Sequence, residues 1–332
     1  MKPLCPVQIS GVGCYLPKKR LTNHDLEKTL DTSDEWILQR TGISERRVLE
    51  PGKATSDMAT EAVRSLCDAT SLDPSDIDLL IVASVTPDML FPSTACLVQS
   101  KLGIPSTWGF DLSAACCGFV YALSTGVAFV ASGMRRRVVV VGADTMSRII
   151  DPKDRNTYVL FGDGAGAILI EPAVKPENCF IDALHEIDGS GGNSLCMPAG
   201  GSLQPANYKT VTDRLHFVKQ EGSTVFKYAT RKMEEASRRI LERNKITPSE
   251  LKLMIPHQAN ARIIRGTAER LNLRNDQVVL NLRKYGNTTA ATIPLAMKDV
   301  LLEGRLKKGD IILLASVGAG FTVGTTLLRW AY

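Results

Sequence analysis

A thiol, an imidazole and a carboxamide in this sequence have settings in which they could share one reaction. Cys116 lies in FDLSAACCGFVYAL, between the end of an apolar strand pattern and the start of an apolar helix pattern. His257 lies in IPHQAN, directly after a strand-length apolar run, and Asn287 lies in YGNTTAATIP. A cysteine attacks as its thiolate, and the unpaired N–H groups of a helix start stabilise that anion, so this setting favours ionisation of Cys116. Ala114, Ala115 and Gly118 leave room for a substrate to approach it. A thiolate in such a setting is a candidate nucleophile. Each residue also has an ordinary structural reading: a small buried cysteine, a satisfied core histidine, and a helix N-cap shared by Asn287 and Thr288. Cys117 points elsewhere on its helix and reads as packing.

What turns three separate candidates into one is the organisation of the chain. LDPSDIDLLI at 72–81 is echoed by ITPSELKLMI at 246–255. Each is a Pro-Ser turn leading into an apolar strand, and each follows a helical pattern. The apolar positions are Met58, Ala62, Val63 and Leu66 in one copy, and Met233, Ala236, Ile240 and Leu241 in the other. The echo continues through the helix-like segments 95–102 and 262–271, and through strands ending at Leu112 and running over 278–282. Long apolar helices follow at 118–132 and 290–302, each closed by a glycine and a basic cluster. Each half ends in a Gly-rich hairpin-like segment, at 162–170 and 318–328. The expected organisation is α/β, with an N-terminal half over 1–174 carrying the cysteine and a C-terminal half over 175–332 carrying His257 and Asn287. In such folds ligands collect where loops leave the carboxyl ends of strands, which is where all three residues fall.

Composition narrows the function classes. Hydrophobic residues make up 44% and charged residues 23%, and the net charge is +5, which is too small and scattered to imply nucleic acid. No segment reaches the roughly 18 uninterrupted apolar residues of a membrane span. Met1–Ser10 lacks a signal-peptide pattern, so a cytosolic setting is expected. The eight cysteines form no C-x-x-C pair, and the histidines do not sit at metal-ligand spacing near them, so no metal is expected. The segment Gly162–Gly166 (GDGAG) lacks the G-x-G-x-x-G spacing of a dinucleotide site and reads as a tight turn between strands.

SAAC-x-GF, HQAN and YGNTTAA, in that order and about 140 and 30 residues apart, resemble the Cys–His–Asn triad of the type III β-ketoacyl-acyl-carrier-protein synthases. The resemblance runs from GVGCYLP and DTSDEWILQRTGI near the start to GAGFTVG at the end. It implies the thiolase-like fold, five layers αβαβα built by internal duplication. Long-chain synthases of this superfamily carry two histidines and thiolases a second cysteine, so Asn287 argues against both. The implied reaction condenses acetyl-CoA, or another short acyl-CoA, with malonyl-acyl-carrier protein to begin a fatty acid. No cofactor is implied, because acyl-CoA is a substrate.

The resemblance also implies roles by position. Cys116 holds the acyl group, while His257 and Asn287 stabilise the enolate left by loss of CO2. The backbone N–H groups of Cys116 and Ala319 form a second oxyanion hole. Thr32, Trp36, Arg40, Arg155 and Asn260 bind CoA. Phe91 walls the neighbouring subunit's acyl pocket, which implies a homodimer. Arg262, Arg265 and Lys227 form a basic face for the acidic carrier protein, although Glu269 stands where the family has a basic residue. Two other readings compete: a secondary-metabolism condensing enzyme using longer or unusual acyl groups, and a non-catalytic interaction protein of the same fold.

Overall fold

Strands that read as unbroken apolar runs must be covered on both faces, and their alternate side chains then enter different cores. The computed structural model, which describes residues 5–177 and 179–332, has this organisation. Its principal strands are β1 (Val7–Tyr15), β2 (Leu79–Ala83), β3 (Trp108–Leu112), β4 (Val138–Thr145), β5 (Asp163–Pro172), β6 (Phe180–Ile187), β7 (Leu251–Pro256), β8 (Ile311–Gly318) and β9 (Thr322–Arg329). Its principal helices are α1 (Asp34–Thr41), α2 (Thr55–Thr70), α3 (Thr94–Leu102), α4 (Gly118–Ala131), α5 (Gly222–Arg243), α6 (Ala261–Arg270) and α7 (Thr292–Leu302).

One sheet has the order β1-β5-β4-β2-β3 and the other β7-β8-β9-β6. In the first, β5 is antiparallel to both β1 and β4, β2 runs parallel to β4, and β3 parallel to β2. In the second, β9 is antiparallel to both β6 and β8, and β7 runs parallel to β8. The fifth place is taken by a single parallel bridge between Met254 and Val278. The apolar pattern over 278–282 predicts a strand there, but the chain turns instead into a short helix at Leu282–Tyr285. Gln258 accounts for the difference. Its carboxamide bonds the Val279 carbonyl and the Asn281 N–H, taking up backbone groups that a strand would offer to a ladder.

Helices α4 and α7 lie between the sheets. Leu79 and Ile81 of β2, Ile312 and Leu314 of β8, Phe119 of α4 and Met297 of α7 share that central core. The alternate residues Leu80 and Val82 pack outward with α2 and α3, and Leu313 and Ala315 pack outward with α5 and α6. The result is the five-layered thiolase-like arrangement.

The Gly162–Gly166 segment differs from the tight turn expected of it. Asp163 opens β5, and β4 and β5 are joined by a long connection. Gly164 and Gly166 lie in the strand itself, facing Leu295 and Pro294 of α7. The glycines therefore let a strand lie close under the central helix.

The halves approach closely at Gly142 of β4, where a Cβ would stand 2.3 Å from the Ala290 carbonyl oxygen. Side chains are not compatible with that distance, so a Gly142→Ala variant must push the start of α7 away from the sheet. Overpacking of this kind costs about 1–3 kcal/mol. The expected result is a lower denaturation midpoint at unchanged slope, with activity falling more than stability because Asn287 moves too. A variant with wild-type midpoint and activity would contradict this packing.

Candidate active site

The cysteine and carboxamide loops are built alike. Ala115–Cys117 form one 3-10 turn that leads into α4, with Ala115 in the left-handed region at φ 47. Thr289–Ala291 form the matching turn into α7, with Thr289 at φ 51. A non-glycine residue in that region costs about 1–3 kcal/mol, and the surrounding packing must impose it. The two turns pack against each other between the sheets. Element by element, Ala290 is the counterpart of Cys116, and Asn287 stands just before its turn.

Cys116 is buried, and its carbonyl oxygen accepts a hydrogen bond from the Ser316 hydroxyl at 2.8 Å. The hairpin between β8 and β9 passes directly over it: a Cβ on Gly318 would come within 2.8 Å of the Cys116 nitrogen. Burial pushes the thiol well above its ordinary pKa, with Cys117 and Asp144 acting in the same direction and one backbone hydrogen bond opposing them. This is opposite to the effect of the helix start alone, because desolvation of a buried anion outweighs the partial charges of the turn. Cys117 is fully buried in the central core, in keeping with a packing role.

His257 follows β7 and is held by its own N–H to the Ala315 carbonyl of β8, at 2.8 Å. Its Nδ1 lies 2.7 Å from the Thr292 hydroxyl, and its Nε2 is buried without a partner among the described residues. Burial pushes its pKa down to about 3, so the ring is neutral at any ordinary pH. Asn287 is clamped by its backbone: its N–H donates to Leu160 O at 2.8 Å, and its carbonyl accepts from Gly162 N at 3.0 Å. The Asn287 Oδ1 accepts from Thr289 N at 2.9 Å, which leaves the Nδ2 amide, with no partner among the described residues, available as a donor.

Cys116, His257 and Asn287 line one cavity of about 620 Å³. Its mouth is formed by Trp36 and Arg40 of α1, Lys227 of α5, and Asn260 and Arg262 at the start of α6. Ser33 caps α1 by accepting from Trp36 N, which fixes the helix turn that carries the indole. Two guanidinium groups lie over that ring, Arg40 at 5.7 Å and Arg155 at 5.1 Å from its centre. Asn260 caps α6: it accepts from Arg262 N and donates to the Arg40 carbonyl, tying α6 to α1.

The remaining expected residues are placed less directly. Thr32 is near Trp36 in the chain, with its hydroxyl buried and unbonded among the described residues, but it does not line the cavity. Ala319 is at the turn between β8 and β9, and its neighbours Gly318 and Phe321 line the cavity. Arg265 is exposed outside the mouth. Phe91 is 83% exposed and does not line this chain's own cavity. Two residues of the site carry no readable signal in the sequence: Phe226, a wall residue stacked by Arg262, and Thr292, which only the fold brings to His257.

Comparison with known proteins gives a consistent result. The family described as 3-oxoacyl-(acyl-carrier-protein) synthase III matches residues 110–189, and its C-terminal part matches residues 241–330. A β-ketoacyl-(acyl-carrier-protein) synthase III of Solibacter usitatus is 57% identical over 98% of this chain and 99% of its own length. The crystal structure of the corresponding synthase from Aquifex aeolicus is 43% identical with a TM-score of 0.90, covering 98% of this chain and 100% of that one. A priming β-ketosynthase from a polyketide biosynthetic pathway is 32% identical with a TM-score of 0.92, covering 100% and 98%.

The resting state of Cys116 is directly measurable. A thiol held neutral by burial should alkylate slowly with iodoacetamide, at a rate still rising with pH through pH 9. A rate that levels off below pH 8 would show a low-pKa thiolate and contradict the burial argument.

Proposed function

The chain belongs to the 3-oxoacyl-(acyl-carrier-protein) synthase III family, and on that premise we propose that it condenses a short acyl-CoA, acetyl-CoA foremost, with malonyl-acyl-carrier protein. It is an acyltransferase of fatty acid biosynthesis. The observation that carries the detailed reading is that a thiol from one half and two neutral donors from the other line the same cavity.

The Cys116 sulfur attacks the acyl-CoA carbonyl, its proton passes to the departing CoA thiolate, and the acyl group stays as a thioester. Malonyl-acyl-carrier protein then enters the emptied cavity. Loss of CO2 leaves an enolate whose oxygen needs donors that do not first have to ionise, and a neutral His257 and the Asn287 amide supply them. The enolate carbon attacks the acyl carbonyl, the new carbon–carbon bond forms, and collapse expels the Cys116 thiolate, which takes a proton from solvent to restore the thiol. In that step the backbone N–H groups of Cys116 and Ala319 are the proposed oxyanion donors.

Trp36, with Arg40 and Arg155 over its ring, offers a planar, cation-bearing platform for the adenine of CoA, with Thr32 nearby in the chain and Asn260 lining the cavity. Lys227 and Arg262 at the mouth, with Arg265 outside it, suit an acidic carrier protein. An edge strand at β3 and the exposed side chains of Leu90 and Phe91 support a homodimer in which Phe91 closes the partner's acyl pocket. The likeness to a polyketide priming synthase keeps a longer or unusual acyl group as the second reading.

Incubation with acetyl-CoA should leave one acetyl group on the protein, located by fragmentation to Cys116 in the peptide that also holds Cys117. Cys116→Ala should abolish it. An acetyl group on Cys117, or none with any acyl-CoA from two to ten carbons, would overturn the assignment.

A further inference from the structure

A neutral imidazole carries one proton, and which nitrogen holds it decides whether His257 meets a substrate as donor or as lone pair. Thr292, the first residue of α7, is buried, with its Oγ1 2.7 Å from His257 Nδ1 and 3.0 Å from the Thr289 carbonyl oxygen. A hydroxyl has a single hydrogen to donate, so only one of these contacts can receive it. Donated to Thr289, it would leave Thr292 accepting from Nδ1–H, with a bare lone pair on Nε2. Donated to Nδ1, it leaves the ring proton on Nε2.

Several observations favour the second arrangement. The Thr289 carbonyl already accepts the backbone N–H of Thr292, so it does not need the hydroxyl. Nδ1 has no other partner among the described residues, and its contact with the hydroxyl is the shorter of the two. Nε2 is buried, unbonded, and belongs to a side chain on the wall of the cavity that Cys116 shares. A lone pair there would repel an enolate oxygen, whereas an N–H would hold it.

We propose that Thr292 is the positioning residue that sets the tautomer of His257, donating its hydroxyl hydrogen to Nδ1 and keeping the ring proton on Nε2. This rests on the donor role given to His257 above. Thr292 touches no substrate and acts only through the ring. It also ties the register of α7 to the chemistry, since the helix that begins with Thr292 follows directly from the turn that positions Asn287.

The test is a long-range proton–nitrogen correlation spectrum of the whole protein labelled with 15N-histidine, with the His257 signals identified by their loss in His257→Ala. The expected spectrum shows a neutral ring protonated at Nε2. Thr292→Val should let the proton spread over both nitrogens and slow malonyl decarboxylation by about 10- to 100-fold, the range seen where a partner orienting a histidine is lost. Cys116 acylation and the KM for acyl-CoA should hold, and Thr292→Ser should restore both tautomer and rate. A wild-type ring protonated at Nδ1, or an unchanged tautomer in Thr292→Val, overturns the proposal. His257→Ala decarboxylating at the wild-type rate would instead remove the donor role, a separate failure that leaves the spectrum to judge Thr292.

Discussion

The reaction centre depends on how tightly the start of α7 is drawn onto the end of β4, and a buried carboxylate does the drawing. Asp144 Oδ1 accepts from Val85 N at 2.8 Å and from the Ser84 and Thr86 hydroxyls at 3.0 Å, all in the first half. Its Oδ2 accepts from Ala290 N at 3.0 Å, in the second half. Burial pushes its pKa up to about 6 while these donors pull it down. A carboxylate is tolerated in a core only when so satisfied, which makes this arrangement geometrically demanding. Ala290 lies between Asn287 and Thr292, so one clamp locates the amide donor and the residue beneath His257 together.

Two consequences follow for the chemistry. The turns carrying Ala115 and Thr289 are held in the left-handed region by packing against each other and the sheets, so the proposed nucleophile and donors are presented by rigid backbone. The same burial that fixes them also keeps them uncharged: the Cys116 thiol is pushed up and the His257 imidazole down. A neutral site suits a reaction whose charge appears only transiently, on an oxygen, in the middle of the sequence. The charged groups Arg40, Lys227 and Arg262 line the same cavity, with Arg155 over the Trp36 ring, which suits the anionic substrates proposed for it.

Much of this was readable from the residues. The repeated Pro-Ser-turn strands and the paired apolar helices reveal the duplication because both-face burial leaves uninterrupted apolar runs. Arg40 and Arg155 both lie over the Trp36 ring, although Arg155 is far from it in the chain. The sequence misleads where side chains compete with local pattern. The 278–282 run looks like a strand until Gln258 captures its backbone, and GDGAG looks like a turn although its glycines serve to admit a helix. Thr292 is invisible because a threonine at a helix start has an ordinary capping explanation, and its partner lies 35 residues away in the chain. The expectation of an easily ionised Cys116 weighed the helix start without the desolvation that only the folded structure reveals.

The proposed mechanism divides labour between one residue that carries the acyl group and two that stabilise the enolate. The most direct measurement separates the half-reactions: transfer of labelled acetyl to the protein, and release of labelled CO2 from malonyl-acyl-carrier protein. In His257→Ala and in Asn287→Ala, acetyl transfer should persist while CO2 release falls by about 100-fold or more, the effect of removing one oxyanion donor. CO2 release at the wild-type rate in either variant, or loss of acetyl transfer in a folded one, would contradict the division.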